Sequence, residues 1–295
     1  MSYNLYFKPH QGDISYEMFD SCFRGRSHFQ CKGQQAWYEN RETGIYFHFF
    51  FQTQETTEDD GDEPREYFPV AFNVNYFRPS YFILEAESEI MAFVKHFDLL
   101  VSDPQCEGMG QGEYDAAKLV RGWNFGNESA FGVILNDESN RAGVSHLPTS
   151  QLHHAWRWNL SRCQLQNEIG EAQFVPQIMF MNIDGSAATM SVWPDGIPVV
   201  IAPVDYVCIP RKELAPTRFF HKRKDDVTFV AWDVALPVLM RHGTRNADGS
   251  ICLDYAEVPS AVAEFVKLLP SEKRPISVVA ADKMLDRELF ERSIA

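Results

Sequence analysis

The stretch "FPVAFNVNYF", residues 68 to 77, alternates between apolar side chains and small or polar ones. Val70, Phe72 and Val74 fall at every second position, which is the period of a β-strand with one face against a core. Residues 43 to 52, "TGIYFHFFFQ", are equally rich in aromatic side chains and predict another strand. The two segments together predict neighbouring strands of one sheet, joined as a hairpin.

The connection between these two predicted strands is strongly acidic. Residues 55 to 66, "ETTEDDGDEPRE", hold seven carboxylates and one cation, and so supply six of the fourteen net negative charges of the chain. A charged connection is usually a solvated surface, but one this long in a hairpin is either disordered or functional. If it meets a basic partner, the expected contacts are Glu58, Asp59, Asp60, Asp62 and Glu63.

Composition limits the classes of protein and partner. A chain of 295 residues with 45% hydrophobic residues can bury a large core and most simply forms two domains. Residues 1 to 30 contain no signal-peptide pattern, and no apolar run is long enough to span a membrane, so a cytoplasmic location is expected. The six cysteines lack paired spacings, which predicts free thiols. With 41 acidic against 27 basic side chains, direct nucleic-acid binding is disfavoured and a basic partner is favoured.

The first part of the chain predicts strands followed by helices. Residues 3 to 7 predict a strand, and a helix is expected from an Asp13 N-cap with Ile14, Met18 and Cys22 in apolar register. Residues 80 to 87, "SYFILEAE", predict a further strand by alternation. Ser88 is then expected to cap a helix over residues 89 to 100.

The remaining chain predicts one long helix and a second sheet. The helix runs from Thr149 or Ser150 to Gly170, with its apolar side expected at Leu152, Trp156, Leu160 and Cys163. Strands bunched before helices indicate an α+β fold of two domains, each a mainly antiparallel sheet with helices packed on it. The expected limits are an N-terminal α+β domain at 1–125, a helical connecting region at 126–172 and a C-terminal α+β domain at 173–295.

Motifs for nucleotide loops and for hydrolase nucleophile elbows are absent from the sequence, so no catalytic residue, metal or cofactor is predicted. An alternative hypothesis is a metal-dependent hydrolase in the C-terminal domain, with Mg²⁺ held by Asp184, Asp195 and Asp205 at strand ends. Pro194 and Asp195 begin a restriction-endonuclease-type motif, but its downstream Asp/Glu-x-Lys is missing. Asp-Gly pairs are more often hairpin turns, which is the favoured interpretation.

A thiol nucleophile is the other form of the hydrolase hypothesis. It would pair Cys106 or Cys208 with His96 or His221. The favoured interpretation is that these cysteines are small buried apolar residues.

Two further segments have both a functional and a structural interpretation. Residues 121 to 131, "RGWNFGNESAF", line a ligand groove or form a buried loop in which Gly122 and Gly126 adopt unusual dihedral angles. Residues 211 to 224, "RKELAPTRFFHKRK", contain six cations and one acid, and by default form a solvated surface.

Four segments of the sequence resemble bacterial immunity proteins encoded beside polymorphic toxins, including type VI secretion effectors. They are "TGIYFHFFFQ", "FNVNYFRPSYFILEAE", "GWNFGNE" and "VWPDGIPVVIAPVDYVCIPR". The resemblance implies a cytoplasmic, non-enzymatic member of an effector-immunity pair, which binds its cognate toxin and blocks the toxin's active site. A toxin with a restriction-endonuclease-like nuclease fold is the expected partner. The resemblance assigns no individual site residues.

Overall fold

The strand predicted within residues 68 to 77 lies in the middle of a seven-stranded sheet. The computed structural model describes residues 1–53, 67–215 and 226–295. The strand order is β2-β3-β4-β5-β1-β6-β7, and every neighbouring pair is antiparallel. The strands are β1 (Ser2–Pro9), β2 (Phe29–Lys32), β3 (Gln35–Asn40), β4 (Ile45–Phe51), β5 (Val70–Asn75), β6 (Leu99–Asp103) and β7 (Gly110–Gly112).

One face of this sheet is covered by two helices, α1 (Tyr16–Phe23) and α2 (Tyr81–Phe97). Phe49 of β4 lies 4.9 Å from Phe23 and 5.1 Å from Phe93, measured between ring centroids. Phe23 and Phe93 stack on each other at 5.3 Å. The predicted alternation in β5 is confirmed, because Val70, Phe72 and Val74 are all buried.

The beginnings of both helices differ from the predictions. The N-cap of α1 is Ser15, whose side chain accepts a hydrogen bond from the Met18 amide, and not Asp13. Phe19 and Phe23 form the buried side of α1, whereas Met18 is 45% exposed. The strand predicted over residues 80 to 87 is wrong, because these residues form the first turns of α2 and Ser88 lies inside that helix.

A remote carboxylate explains where α2 begins. Ser80, the N-cap residue, makes no side-chain capping bond of its own. Instead, its amide and hydroxyl both donate to Asp286, at 2.7 Å each. Asp286 is fully buried and also accepts a hydrogen bond from the Thr149 hydroxyl. This carboxylate therefore supplies the negative charge that stabilises a helix N-terminus.

Asp286 belongs to a carboxy-terminal segment that completes the same unit. The segment contains β17 (Met284–Asp286), which pairs in parallel with β8 (Ser145–Leu147), and α7 (Arg287–Ile294), which packs on α3 (Ala116–Leu135). Phe131, Leu135 and Leu285 form the buried cluster at this contact.

A second unit contains a five-stranded sheet of order β13-β12-β10-β9-β16. Its β10 and β12 are parallel and its other neighbours are antiparallel. The strands are β9 (Met179–Ile183), β10 (Ser186–Val192), β12 (Tyr206–Pro210), β13 (Val227–Ala231) and β16 (Ile276–Val279).

A smaller sheet and three helices complete the second unit. The sheet has the order β11-β15-β14, and the helices include one of 21 residues. These elements are β11 (Val199–Ile201), β14 (Thr244–Arg245), β15 (Ile251–Leu253), α4 (Thr149–Ile169), α5 (Trp232–His242) and α6 (Ser260–Leu268).

The helix predicted from residue 149 to residue 170 is confirmed as α4, but its predicted apolar side is wrong. Leu152 is buried as expected, whereas Leu160 is 47% exposed and Cys163 is also exposed. The buried side instead includes Asn159, whose amide side chain donates to the Ile178 carbonyl and accepts from the Ile178 amide, at 2.8 Å each. A buried asparagine with both groups paired is stable in a core, but hydrophobic periodicity does not detect it.

The α+β class with mainly antiparallel sheets is therefore confirmed. By its internal contacts the chain divides into two compact units, one of residues 1–149 with 282–295 and the other of residues 150–281. The predicted division at 1–125, 126–172 and 173–295 has different limits and stays a prediction.

Candidate functional site

The acidic segment, residues 55 to 66, connects β4 to β5 at the end where the pairing of the two strands stops. Phe51 pairs with Val70 in antiparallel register, and the Gln52 amide donates to the Pro69 carbonyl at 2.8 Å. The predicted hairpin pairing is thus confirmed at the base of the segment. The five predicted contact residues lie outside the described residues: Glu58, Asp59, Asp60, Asp62 and Glu63.

On the amino-terminal side of the acidic segment, Phe51 anchors the last residues of β4. Its ring lies 5.9 Å from the ring of Tyr16 and 5.9 Å from that of Phe19, both on α1. The Tyr16 hydroxyl in turn donates to the Gly33 carbonyl at 3.0 Å. The end of β4 is therefore fixed against a helix and a neighbouring loop.

The carboxy-terminal side has its own aromatic anchors. The Tyr67 hydroxyl donates to the Gln52 carbonyl and closes the base across the two strands. The Phe68 ring lies 6.5 Å from the Tyr6 ring and 5.5 Å from the Lys8 ammonium. The sequence does not predict these anchors, because the aromatic residues that follow an acidic run give no periodic signal.

A carboxylate also lies near this base. Burial raises the pKa of the Tyr67 hydroxyl, and the nearby Asp13 carboxylate raises the pKa further. Asp13, which is not the helix cap, therefore places a carboxylate close to the Tyr67 hydroxyl. The residues at the base of the acidic segment are therefore Asp13, Phe51, Gln52, Tyr67 and Phe68.

The basic segment, residues 211 to 224, also connects two antiparallel strands that pair with each other, β12 and β13. Pro210 of β12 pairs with Val227 of β13, and the Arg211 amide donates to the Asp226 carbonyl at 2.9 Å. Arg211, one of the six cations expected at a solvated surface, is instead fully buried. Its Nε donates to the Asp226 carboxylate at 2.8 Å. This cation is structural, and residues 216 to 225 lie outside the described residues.

The aspartates of the hydrolase hypothesis have separate structural contacts. Asp195 accepts hydrogen bonds from the amides of Glu213 and Leu214, at 3.0 and 3.1 Å. Asp205 accepts from the amide and the hydroxyl of Thr189, at 2.8 Å each. Asp184 is exposed in the two-residue turn between β9 and β10, with a φ of 51°. Among residues 1–53, 67–215 and 226–295, no group of three or more His, Cys, Asp or Glu side chains could hold a metal ion.

The two candidate nucleophiles are in different environments. Cys208 is buried in the cluster that contains Met181 and Met190, and burial raises the pKa of its thiol to about 12. A thiol with such a pKa is protonated at neutral pH and a poor nucleophile. Cys106 is exposed. Of the candidate bases, His96 packs its ring 4.5 Å from that of Phe97, and His221 lies outside the described residues.

Residues 121 to 131 form part of α3, so the buried-loop interpretation is wrong. Neither Gly122 nor Gly126 has a positive φ. These glycines allow close approach instead, because a Cβ at Gly122 would lie 2.8 Å from the Gly108 Cα and one at Gly126 would overlap the Tyr76 ring.

A cavity of about 320 Å³ lies beside α3 in the first unit. Phe125 lines it, as the groove interpretation expected, whereas Trp123 is fully buried elsewhere in the core. Its polar lining includes Tyr76, Gln105 and Cys106, which the sequence does not connect with α3. Burial raises the pKa of the Tyr76 hydroxyl to about 12, and Asp103 and Cys106 contribute to this shift.

No helix in the described parts of the chain is long and apolar enough to cross a membrane. Comparison of the chain with known protein families, with curated proteins and with solved structures finds no match. The resemblance to immunity proteins therefore stays a hypothesis.

Proposed function

We propose that this chain is a bacterial immunity protein. It acts in the cytoplasm by binding a cognate secreted toxin, in the manner of a type VI effector-immunity pair, and not by catalysis. The partner is a basic protein, of which a nuclease is the favoured class. Binding covers the active site or the basic surface of the toxin, with Glu58, Asp59, Asp60, Asp62 and Glu63 as the electrostatic contacts.

The observation that supports this proposal best is the closed base from which the acidic segment extends. The segment connects two adjacent, hydrogen-bonded strands, β4 and β5, in the middle of a seven-stranded sheet. The aromatic anchors Phe51 and Phe68 hold the flanking chain against α1 and β1. A binding segment whose ends are already fixed loses less conformational entropy when a partner is bound.

The negative charge of the chain is a second argument for the proposal. The chain has a formal net charge of −14, of which the segment at residues 55 to 66 supplies −6. A concentrated charge of one sign accelerates association with a partner of the opposite sign and excludes partners of the same sign. A nuclease is a suitable partner, because its substrate surface must be positive to bind a phosphate backbone.

The proposal is tested by capturing the partner and measuring its activity. The tagged chain is used to retrieve bound proteins from the bacterial cytosol, and each is assayed for nuclease activity with and without added chain. We expect a basic protein whose activity is lost at an equimolar ratio. A captured protein that is acidic, or whose activity is unchanged by the chain, would contradict the proposal.

A further inference from the structure

A cavity of about 580 Å³ lies at the carboxy-terminal end of α4, inside the second unit. Gln166 and Asn167 line it from the last turn of the helix, and Phe174, Ile197 and Pro198 line it from later in the chain. Volumes of about 300–1,000 Å³ are typical of small-molecule sites. Since a cavity of about 150 Å³ already holds benzene, this one has room for a whole small molecule.

Hydrogen bonds fix the loop that follows α4. The Gln166 side chain donates to the carbonyls of Gly170 and Gln173, at 2.7 and 2.9 Å. The same side chain accepts from the Val175 amide at 2.9 Å. The loop is therefore tied back to the last turn of the helix. A site that is formed before its ligand arrives loses little conformational entropy on binding.

Phe174 supplies an aromatic face to the cavity. Its backbone is fixed, because its amide donates to the Pro198 carbonyl at 3.1 Å and its carbonyl accepts from the Val200 amide at 2.9 Å. Its side chain is 36% exposed, so the ring is accessible from the cavity that it lines. An accessible aromatic face attracts a cation, and a guanidinium most often.

The end of α4 carries a partial negative charge that the helix does not neutralise. The helix has 21 residues and no basic residue in its last turn. The carbonyls of Asn167, Glu168 and Ile169 accept no hydrogen bond from the described part of the chain. Such carbonyls carry the negative end of the helix dipole and favour a positive charge beside them.

Carboxylates add to this negative charge. Glu171 lines the cavity, and Glu168 is in the last turn of the helix. The last cation along α4 is Arg162, which donates to the Val175 carbonyl at 3.1 Å and does not line the cavity. Acidic side chains are unfavourable at a helix C-terminus. A local choice that opposes the fold is characteristic of a functional position.

We propose that this cavity binds a small organic cation, a guanidinium group on a short aliphatic chain. The guanidinium stacks on the Phe174 ring and donates to the Glu171 carboxylate and the Asn167 carbonyl. The aliphatic chain packs on Ile197 and Pro198. A guanidinium is favoured over an ammonium, because it is planar, weakly hydrated and able to stack on aromatic rings. A metal ion is disfavoured, since Glu171 is the one carboxylate among the described lining residues.

The first test compares two ligands of the same shape. Butylguanidinium, or its neutral isostere butylurea, is titrated into the full chain at low ionic strength in a calorimeter. We expect saturable 1:1 binding of butylguanidinium, with butylurea bound about tenfold or more weakly. Equal affinities, or no saturable binding of butylguanidinium, would overturn the proposal. The proposed immunity function is unaffected by either result, because this site lies in the second unit and requires no toxin.

Two variants locate the site. Glu171→Gln and Phe174→Leu should each weaken butylguanidinium binding about two- to fivefold, with an unchanged circular dichroism spectrum because both side chains are exposed. The matched control is Asp184→Asn, in the turn before β10, whereas Ile197 of the cavity follows that strand. It has the same formal net charge as Glu171→Gln, −13, which is −14 with one negative charge removed. Equal losses in these two variants, or full affinity in Phe174→Leu, would overturn the proposal.

A third ligand distinguishes a free cation from an arginine of another protein. Nα-acetyl-arginine amide carries the same guanidinium with a peptide group on each side of its Cα. We expect it to bind more weakly than butylguanidinium, because its amide groups lose water against Ile197 and Pro198. Tighter binding of the arginine amide would overturn the assignment to a free small cation.

Discussion

Removing the carboxylate of Asp226 should strongly destabilise the second unit. Arg211 is 0% exposed, and its guanidinium donates to Asp226 from Nε and Nη2. Its remaining donors bind the carbonyls of Val266 and Leu269, at the end of α6, and the Ser271 hydroxyl. In an Asp226→Ala variant these carbonyls remain, but the buried positive charge loses the carboxylate that neutralises it.

The expected size of this effect follows from the burial of the pair. Breaking a buried ion pair by removing one partner costs about 3–5 kcal/mol, because an uncompensated charge stays in the interior. This is a large fraction of a domain's total stability of about 5–15 kcal/mol. If Asp226→Ala fails to fold, the milder Asp226→Asn keeps the side-chain volume and removes only the charge. The matched control, Asp184→Asn, removes an exposed carboxylate at a turn that asparagine tolerates and should change stability by at most about 0.5 kcal/mol.

The assay is equilibrium urea unfolding monitored by tryptophan fluorescence. Four of the six tryptophans lie in residues 150–281, so this signal reports mainly on the second unit. We expect a lower urea midpoint for the Asp226 variants at an unchanged slope, which indicates a change of stability alone. Equal midpoints for the Asp226 and Asp184 variants would refute the argument that the buried guanidinium depends on this carboxylate.

Two further predictions concern the first unit. Gly126→Ala should lower its free energy of unfolding by about 1–3 kcal/mol, because the new methyl overlaps the Tyr76 ring. Gly132→Ala in the same helix meets no atom within 4 Å and should raise stability by about 0.5–1 kcal/mol; equal effects in urea unfolding would contradict the packing argument. Burial lowers the pKa of His146, which stacks on Phe290, below its usual 6.5, and the unfolded chain therefore binds the proton more readily. Stability should fall as pH drops below about 6.5 and level off below the lowered folded-state pKa. This fall should be smaller in His146→Gln, and an identical pH dependence in both proteins would exclude His146 as its source.

Local patterns were sufficient to predict β1, β4, β5 and the long helix α4. The alternation in β5 identified its buried face, and the Asp-Gly pair after β9 identified a hairpin turn, because both depend on neighbouring residues alone. The start of α2 could not be found in this way. Its N-terminus is stabilised by Asp286, which is 206 positions away from Ser80 in the sequence.

Buried polar residues account for the other differences between prediction and structure. Asn159 is on the buried side of α4 because it pairs with the backbone of Ile178, and Arg211 is buried because it pairs with Asp226. Arg211 belongs to the segment predicted as a solvated surface, and Asn159 is not on the predicted apolar side of α4. The sequence of the acidic segment indicated a candidate site, whereas the anchors of Phe51 and Tyr67 at its base depend on tertiary contacts.

The central claim is that the acidic segment attracts a basic partner, and association kinetics test it most directly. In the test variant Glu58, Asp59, Asp60, Asp62 and Glu63 are replaced by Gln or Asn. In the control variant the same replacement is made at five exposed carboxylates elsewhere, which are Glu138, Glu168, Glu171, Asp184 and Glu257. Both variants therefore have a formal net charge of −9, which is −14 with five negative charges removed. Binding to the captured toxin is measured by stopped-flow fluorescence over a range of salt concentrations.

The account predicts that the test variant associates about tenfold or more slowly at low salt, with a weaker salt dependence, while the control variant stays close to the unmodified chain. Equal association rates and equal salt dependence for the two variants would contradict it. Such a result would show that net charge, and not the segment at residues 55 to 66, attracts the partner.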